Sequence, residues 1–529
     1  MDLTEAVAST RAGNRHPPAD EVSDRPGVRW LTVATGFLLV VAVVVRFVTV
    51  SALWLDEAQT VNIARLPLGD LAEGLRHDGA PPLFYVLLHG WMRIFGDGDL
   101  SVRFLPGLFG VAALPLAWIA GRRLGGRTVA WSAVILLAAS PFAVRYATEA
   151  RMYSMLVVLV LVGYLAVMEL LEQPGSRRAA IGVGLVTGSL LLTHYWALYL
   201  LFVTGVTLVV LARRAPSPTR EGARRGLVAM AVGSLAFVPW VPSFLYQLTH
   251  TGAPWGAPGR LRSMVDTVFH FSGGYWDPGL LVGMVTYALI ALAIFGRAVD
   301  GRRIEIDLRS RPGGRHLAVV GFGTLAVAVL ATVIARSAFA VRYASVMFPM
   351  IILLAALGTT RLLDRRVRHA VLAGVVVCGR WATAPNVFGD RTSAARVAAA
   401  LAKGVQPGDV VAYCPDQLGP SVSRLLPDDG LGAQHLTFPR ATPPQLVDWV
   451  DYAKVNKAAD PAPFAQMLLD RAGPTGTVWV VWAPGYKTFK DKCQGVLGNL
   501  DLVRRNNTRP VKLPSKNFEK PSLMSFPPQ

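Results

Sequence analysis

The stretch SVRFLPGLFGVAALPLAWIAGRRLGGRTVAWSAVILLAASPF, residues 101–142, decides the fold class. Two apolar runs, 102–120 and 128–144, flank a short glycine- and arginine-rich break that carries Arg122, Arg123 and Arg127. A helix needs about 20 apolar residues to cross the hydrocarbon core of a bilayer. Each run comes close to that length with no charge in its middle. Two such runs joined by a basic turn read as a transmembrane hairpin, with its arginines held at the cytoplasmic surface.

The pattern continues in both directions. Further runs at 29–50, 152–171, 179–194, 196–212, 226–245, 279–296, 316–335, 340–360 and 368–384 bring the total to about eleven spans. Composition agrees: 52% of the 529 residues are hydrophobic and 16% are charged, against about 25% charge in a soluble domain. Collagen-like, coiled-coil and disordered chains are excluded, because glycine and proline follow no period and core formers are abundant. The net charge of +19 divides by position. Arginine clusters at 122–127, 177–178, 213–225, 297–315 and 361–368 follow alternate spans, on the side of the polar N-terminus. By the positive-inside rule the N-terminus is cytoplasmic, and an odd number of spans puts the C-terminus outside. Residues 1–28 read as a disordered cytoplasmic segment, and the first span as a retained signal anchor, because no small-residue cleavage site follows it. Most of the positive charge is therefore topology, and nucleic acid is not an expected partner.

After about residue 389 the texture changes. Residues 409–414 and 477–482 read as buried strands, while 464–472 and 489–500 have helical spacing. The expectation is an extracytoplasmic α/β domain over 389–505 and a flexible tail over 506–529. Cys414 and Cys493 both lie in this domain and are available to pair in an oxidising compartment. The fold class is thus a polytopic α-helical membrane protein, with a transmembrane domain over 29–388, a first outer loop at 51–101, and a soluble C-terminal α/β domain.

Ionisable groups gather at the outer ends of the spans rather than at mid-membrane, where a transporter places its sites. The first outer loop opens with LWLDEAQT at 53–60. Repulsion between Asp56 and Glu57 leaves at least one carboxylate suited to taking a proton; an acidic pair past a helix end also serves as a plain interface anchor. The apolar stretch HDGAPPLFYVLLHGW at 77–91 is too short to span and reads as an interfacial helix with Pro81 and Pro82 in its first turn. In RYATEARMYS at 145–154, a continuous helix would put Tyr146, Glu149 and Tyr153 on one face, with Arg145 one turn from Glu149; a break there is the alternative. THYWALYLL at 193–201 places His194 and Tyr195 at another outer end, where aromatic belts are common. VRYASVMFPM at 341–350 puts Arg342 on the outer side, as a phosphate clamp or a snorkelling side chain.

In this order and topology, LWLDEA (53–58), HDGAPPLFYVLLHGW (77–91), SVRFLPGLFG (101–110), YATEARMYS (146–154) and VRYASVMFPM (341–350) resemble the GT-C glycosyltransferases. The resemblance covers roughly residues 30–360. It is nearest to the bacterial protein-mannosyltransferase-like and aminoarabinose-transferase-like enzymes (glycosyltransferase family 39 type), and more narrowly to actinobacterial mannosyltransferase-like members. It implies a plasma-membrane enzyme that moves one sugar, mannose first and an arabinose-type sugar second, from a polyprenyl-phosphate donor to a hydroxyl of a glycolipid, lipoglycan or protein. Asp56 maps to the catalytic base and Glu57 to its helper. Arg342 and then Arg151 are implied for the donor phosphate, with Tyr343 and Tyr153 as hydrogen-bond donors. Glu149, His77, Asp78, His194 and Tyr195 are implied for the sugar or acceptor. No cofactor is expected; a divalent ion is conceivable in the superfamily, but no spaced ligand set is present. Where the family often has His-Pro-Pro, this chain has His77-Asp78-Gly79-Ala80-Pro81-Pro82, which weakens the assignment of His77. The Trp-Trp-Asp-Tyr-Gly motif of oligosaccharyltransferases is absent, which argues against en bloc transfer to asparagine. The rival classes are a lipid-linked-sugar flippase and a non-catalytic assembly protein.

Overall fold

Among the described residues of the computed structural model, seven helices are long and apolar enough to cross a membrane: Asp99–Ala139, Tyr153–Glu172, Ala197–Arg214, Thr219–His250, Asp277–Phe295, Gly313–Ile334 and Arg365–Phe388. The described residues are 36–37, 39–252, 256–300, 303–310, 312–512 and 517–529; the N-terminal segment 1–28 and part of the first expected span lie outside them. The 41-residue helix Asp99–Ala139 holds two of the expected spans. Its backbone leaves helical geometry at Gly125 and at Gly126, where φ is 75°, a conformation that costs glycine little and other residues much. The expected span at 340–360 is built in two pieces, a 3-10 segment Val341–Val346 and an α-helix Phe348–Gly358 buried on all sides. Pro349 has no N–H to continue a helix from the preceding turn, so it sits at the start of one.

Chain contacts define two compact units, Met1–Val48 with Arg103–Trp240 and Pro258–Val387, and Thr49–Val102 with Val241–Ala257 and Phe388–Gln529. The membrane helices make up most of the first. The second departs from the expected grouping, because the first outer loop belongs with the C-terminal α/β region rather than with the transmembrane domain. The loop folds as α1 (Leu55–Arg65), α2 (Leu68–Asp78) and α3 (Leu83–Phe95). Helix α2 ends at Gly79 in the left-handed conformation, φ 83°, and α3 starts directly behind Pro82. These short helices cannot bury their apolar residues alone. Trp54 and Leu55 enter the same core as Cys414, Tyr452, Trp482 and Phe489 of the α/β region. Polar contacts fix the register: Gln59 donates to Val447 O and accepts from Val447 N, each at 2.9 Å. The N–H of Trp449 donates to His77 O at 3.1 Å.

The sheet of this unit contains β1 (Val410–Cys414), β2 (Gln434–Thr437), β3 (Val478–Trp482), β4 (Thr508–Val511) and β5 (Ser522–Phe526), in the order β2-β1-β3-β5-β4. Strands β1, β2 and β3 are parallel, and β5 is antiparallel to both β3 and β4. The two strands read from sequence are β1 and β3, each buried along its whole length. The tail, expected to be flexible, instead supplies β4 and β5. All five residues of β5 are buried, and Arg504 Nη1 donates to Phe526 O at 3.0 Å and to Gly476 O at 2.6 Å. Burial of an apolar strand and pairing of its backbone outweigh the proline and lysine content that made the segment look unstructured.

Cys414 at the end of β1 and Cys493 in the helix Lys492–Val503 form a disulfide across 79 residues of sequence. Closing a loop of that length in the unfolded chain favours the folded state, and removing such a bond typically costs about 2–5 kcal/mol. Cys493→Ser, or reduction of the wild type, is therefore expected to lower the melting temperature of this unit, measured by thermal unfolding in detergent with and without dithiothreitol.

Candidate active site

In the second unit, Asp56 and Glu57 occupy the first turn of α1, where the helix dipole favours negative charge. Neighbours on one helix turn point in different directions, and here they meet different fates. Glu57 is fully buried and faces Arg391, with Oε2 3.7 Å from Nη1; the Arg391 side chain is 2% exposed. Asp56 is half-buried. Arg391 is itself held by its backbone, whose N–H donates to Ser51 Oγ at 2.9 Å and whose carbonyl accepts from Glu519 N at 2.9 Å. One carboxylate thus faces a guanidinium inside the unit, and the other is half-buried, with Oδ2 shielded from solvent.

His77 and Asp78, implied for substrate, are placed at the junction between the loop helices and the α/β region. His77 Nδ1 is 2.8 Å from Asp448 and Nε2 is 3.2 Å from Glu73. Asp78 accepts from the Tyr85 hydroxyl at 2.8 Å. His89 bonds the Ala64 carbonyl at 2.8 Å, a satisfied buried histidine.

The other implied residues lie in the first unit. Ser140 caps a short helix Pro141–Ala147 by accepting from Ala143 N at 3.3 Å. That helix stops at Thr148, and the chain turns before Tyr153–Glu172 begins. Stretch 145–154 is therefore broken rather than continuous. The turn is closed by Arg151 N donating to Glu149 O at 2.6 Å. The pairing expected on a continuous helix survives it: Arg145 Nε donates to Glu149 Oε2 at 2.9 Å, with Glu149 1% exposed. Glu149 Oε1 is buried with no hydrogen-bond partner among the described residues.

Around this turn the aromatic residues form a chain. Tyr146 stacks edge-on with Tyr153 at 4.7 Å, Tyr153 lies 6.0 Å from His194, and His194 lies 5.2 Å from Tyr343. Trp196 closes on Tyr343 at 5.7 Å and donates its backbone N–H to His194 Nδ1 at 3.1 Å. The Arg342 guanidinium sits 5.5 Å from the Tyr343 ring centre, and Arg151 and Arg342 are both near enough for their charges to act on His194. Two guanidiniums beside tyrosines, one histidine and a carboxylate form a constellation suited to a phosphate with a polar group attached. Tyr195 stands apart: it accepts from the Trp240 indole at 3.0 Å and packs on Phe237.

Sequence reading did not single out Arg391 or Glu519. Both carried a signal: Arg391 follows the last span on the expected outer side, as Arg342 does, and Glu519 is the lone acid of the lysine-rich tail.

Residues 79–242 match the family model of dolichyl-phosphate-mannose-protein mannosyltransferases. The whole chain superimposes on ArnT from Cupriavidus metallidurans in the apo state, with a TM-score of 0.59 and 14% identity, covering 95% of this chain and 98% of that one. The same protein bound to undecaprenyl phosphate gives a TM-score of 0.57 at 14% identity, covering 94% and 98%. No curated protein matches the chain by sequence. The fold is the GT-C fold of membrane glycosyltransferases.

Removing one member of a buried ion pair strands the other charge and costs about 3–5 kcal/mol. Arg391→Ala is expected to destabilise the second unit by that amount, and adding Glu57→Gln should restore part of it. Chemical denaturation of the two variants beside wild type checks this; equal stability of all three would show that the pair does not hold the loop.

Proposed function

We propose that this chain is an inverting glycosyltransferase that moves a single sugar, with mannose favoured, from a polyprenyl-phosphate donor to a hydroxyl of a cell-envelope glycolipid, lipoglycan or protein. The reaction takes place at the outer face of a bacterial plasma membrane. The observation that carries this reading is the placing of the acidic pair: Glu57 faces Arg391 in full burial, and Asp56 stands half-buried in the first turn of α1. A carboxylate presented in this way can take the proton of an acceptor hydroxyl as it attacks the anomeric carbon. The sugar–phosphate bond breaks on the opposite side, and the configuration inverts. The bond electrons leave with the phosphate as polyprenyl phosphate, a stable anion that needs no strong general acid, metal or cofactor.

Arg342 and Arg151, with Tyr343 and Tyr153, are assigned to the donor phosphate. Their charges and hydroxyls suit the negative charge that grows as the bond breaks. Glu149 and His194 are assigned to sugar hydroxyls. Undecaprenyl phosphate bound to ArnT supports a lipid-phosphate donor, and the mannosyltransferase family model supports mannose. The disulfide supports the oxidising side of the membrane for the α/β region, and with it an N-terminus in the cytoplasm.

Purified protein given labelled polyprenyl-phosphate mannose and a membrane glycolipid fraction should transfer the label, and a parallel arabinose donor should be the poorer substrate. Asp56→Asn is expected to lower kcat by roughly 10²–10⁴ with little change in donor KM. Undiminished transfer by this variant would remove Asp56 from the role of base. Arg342→Gln should instead raise the donor KM and lower kcat together, because the phosphate is held in the ground state and more strongly as its charge grows in the transition state.

A further inference from the structure

The membrane unit holds a cavity that the proposed chemistry does not use. It has a volume of about 650 Å³ and lies among the helices Tyr153–Glu172, Arg177–Leu191, Ala197–Arg214 and Gly313–Ile334. Ligand pockets fall in the range of about 300–1,000 Å³. Packed interiors contain few voids larger than a water molecule, so a gap of this size has to be held open. Two close backbone approaches do so on one side. A Cβ at Gly233 would stand 2.1 Å from Gly184 O, and one at Gly222 would stand 2.2 Å from Leu170 O. Only glycine lets the helix that begins at Thr219 lie so near its two neighbours, and these contacts lock three helices into one rigid wall.

The two ends of the cavity differ. At one end stand Arg123, Glu172, Ser217, Thr219 and His316. All five lie at or beside the arginine-rich turns, with Arg122 and Arg315 as immediate sequence neighbours. At the other end Val160, Leu190, Leu200 and Leu201 present hydrocarbon. Between them, Thr187 and Thr207 donate their hydroxyls to Val183 O and Val203 O of their own helices, both at 2.8 Å, and so offer the cavity little polarity. The lining runs from Val160 to Leu171 on one helix and from Leu200 to Leu211 on another. At about 1.5 Å per residue, either stretch gives a depth of about 17 Å. Half of a bilayer's hydrocarbon core is about 15 Å. The cavity is thus as deep as one leaflet.

We propose that this cavity binds one acyl chain of a membrane phospholipid, with the lipid phosphate at the arginine-rich end beside Arg123. Glu172 accepts from Arg123 Nη2 at 2.9 Å, and Leu165 O stands 3.5 Å from Nη1. A guanidinium carries five N–H donors, so the fork has capacity for a phosphate oxygen as well. Both rim side chains keep access from outside, Arg123 at 25% and Glu172 at 38% exposure. The polyprenyl chain of the sugar donor is the rival occupant. Its phosphate is assigned to Arg151 and Arg342, beyond the apolar end, so its chain would run inward and finish against the Arg123–Glu172 ion pair. Hydrocarbon placed there takes water from two charges and gives them no new partner. A phospholipid puts its polar head at the polar end and its chain along the apolar wall. The site is separate from sugar transfer and does not depend on it.

The full chain in detergent, stripped of lipid, is titrated with dioleoyl phosphatidylglycerol or with dioleoylglycerol as its neutral match, and adducts are counted by native mass spectrometry. One phosphatidylglycerol should bind per chain, roughly tenfold more tightly than dioleoylglycerol, because charge-assisted hydrogen bonds hold the phosphate. Arg123→Gln should remove that preference. Thr204→Phe and Val167→Phe, which push a ring into the cavity, should each weaken binding of both lipids. Phosphatidylglycerol with a diazirine in its acyl chain should label Val160, Leu200 and Leu208 of the lining ahead of Ile181, Leu185 and Phe202, which are exposed residues of the same bundle. Equal binding of the two lipids, adducts unchanged in both filled variants, or label confined to the exposed positions overturns the proposal. So does loss of the lining label to an equimolar amount of polyprenyl phosphate, which would give the cavity to the donor. If the filled variants do not fold, the labelling of wild type decides alone. None of these readouts needs sugar transfer, so the site is judged apart from the glycosyltransferase reading.

Discussion

The buried ion pair between Glu57 and Arg391 is the interaction on which the second unit of this molecule depends. It joins residue 57, just past the first expected span, to residue 391, just past the last helix of the membrane unit. With both side chains out of water, neither charge is tolerable without the other. The pair therefore fixes where α1 begins. Gln59 and Val447 continue the same junction through two reciprocal hydrogen bonds. Asp56 shares the first turn of α1 with this anchored neighbour and is itself half-buried.

The membrane unit solves a different problem with the same economy of charge. Tyr146, Tyr153, His194 and Tyr343 are clustered rather than scattered, and a helix break at 148–152 is what allows it. A continuous helix would have carried Arg151 away from the face shared by Tyr146, Glu149 and Tyr153. With the turn, Arg151 and Arg342 both come near His194, while Arg145 still neutralises Glu149. Aromatic rings between them supply apolar contact without conformational freedom, a fitting lining for a sugar and a phosphate.

Much of this was legible in the sequence, for reasons that can be traced to particular residues. Apolar runs of membrane length show themselves by composition, and the break at Gly125 and Gly126 was marked by the arginines around it. Strands β1 and β3 were legible as unbroken apolar runs. Strand β5 was not, because SLMSF is short and stands among prolines and lysines, and only its pairing with β3 reveals it. The partner of Glu57 was hidden for another reason. Arg391 is more than 330 residues from Glu57 in sequence, and no local pattern reports a contact at that range. His77 and Asp78 were legible as polar residues in an apolar loop; His77 meets Asp448 of the α/β region, and Asp78 accepts from Tyr85 within the loop.

The central claim is a direct displacement at the anomeric carbon, assisted by Asp56. It is tested most directly by the stereochemistry of one turnover. The anomeric configuration of the transferred sugar, determined by NMR on product made from a donor of known configuration, should be opposite to that of the donor. A product with the donor's configuration would contradict single displacement, and with it the role given to Asp56.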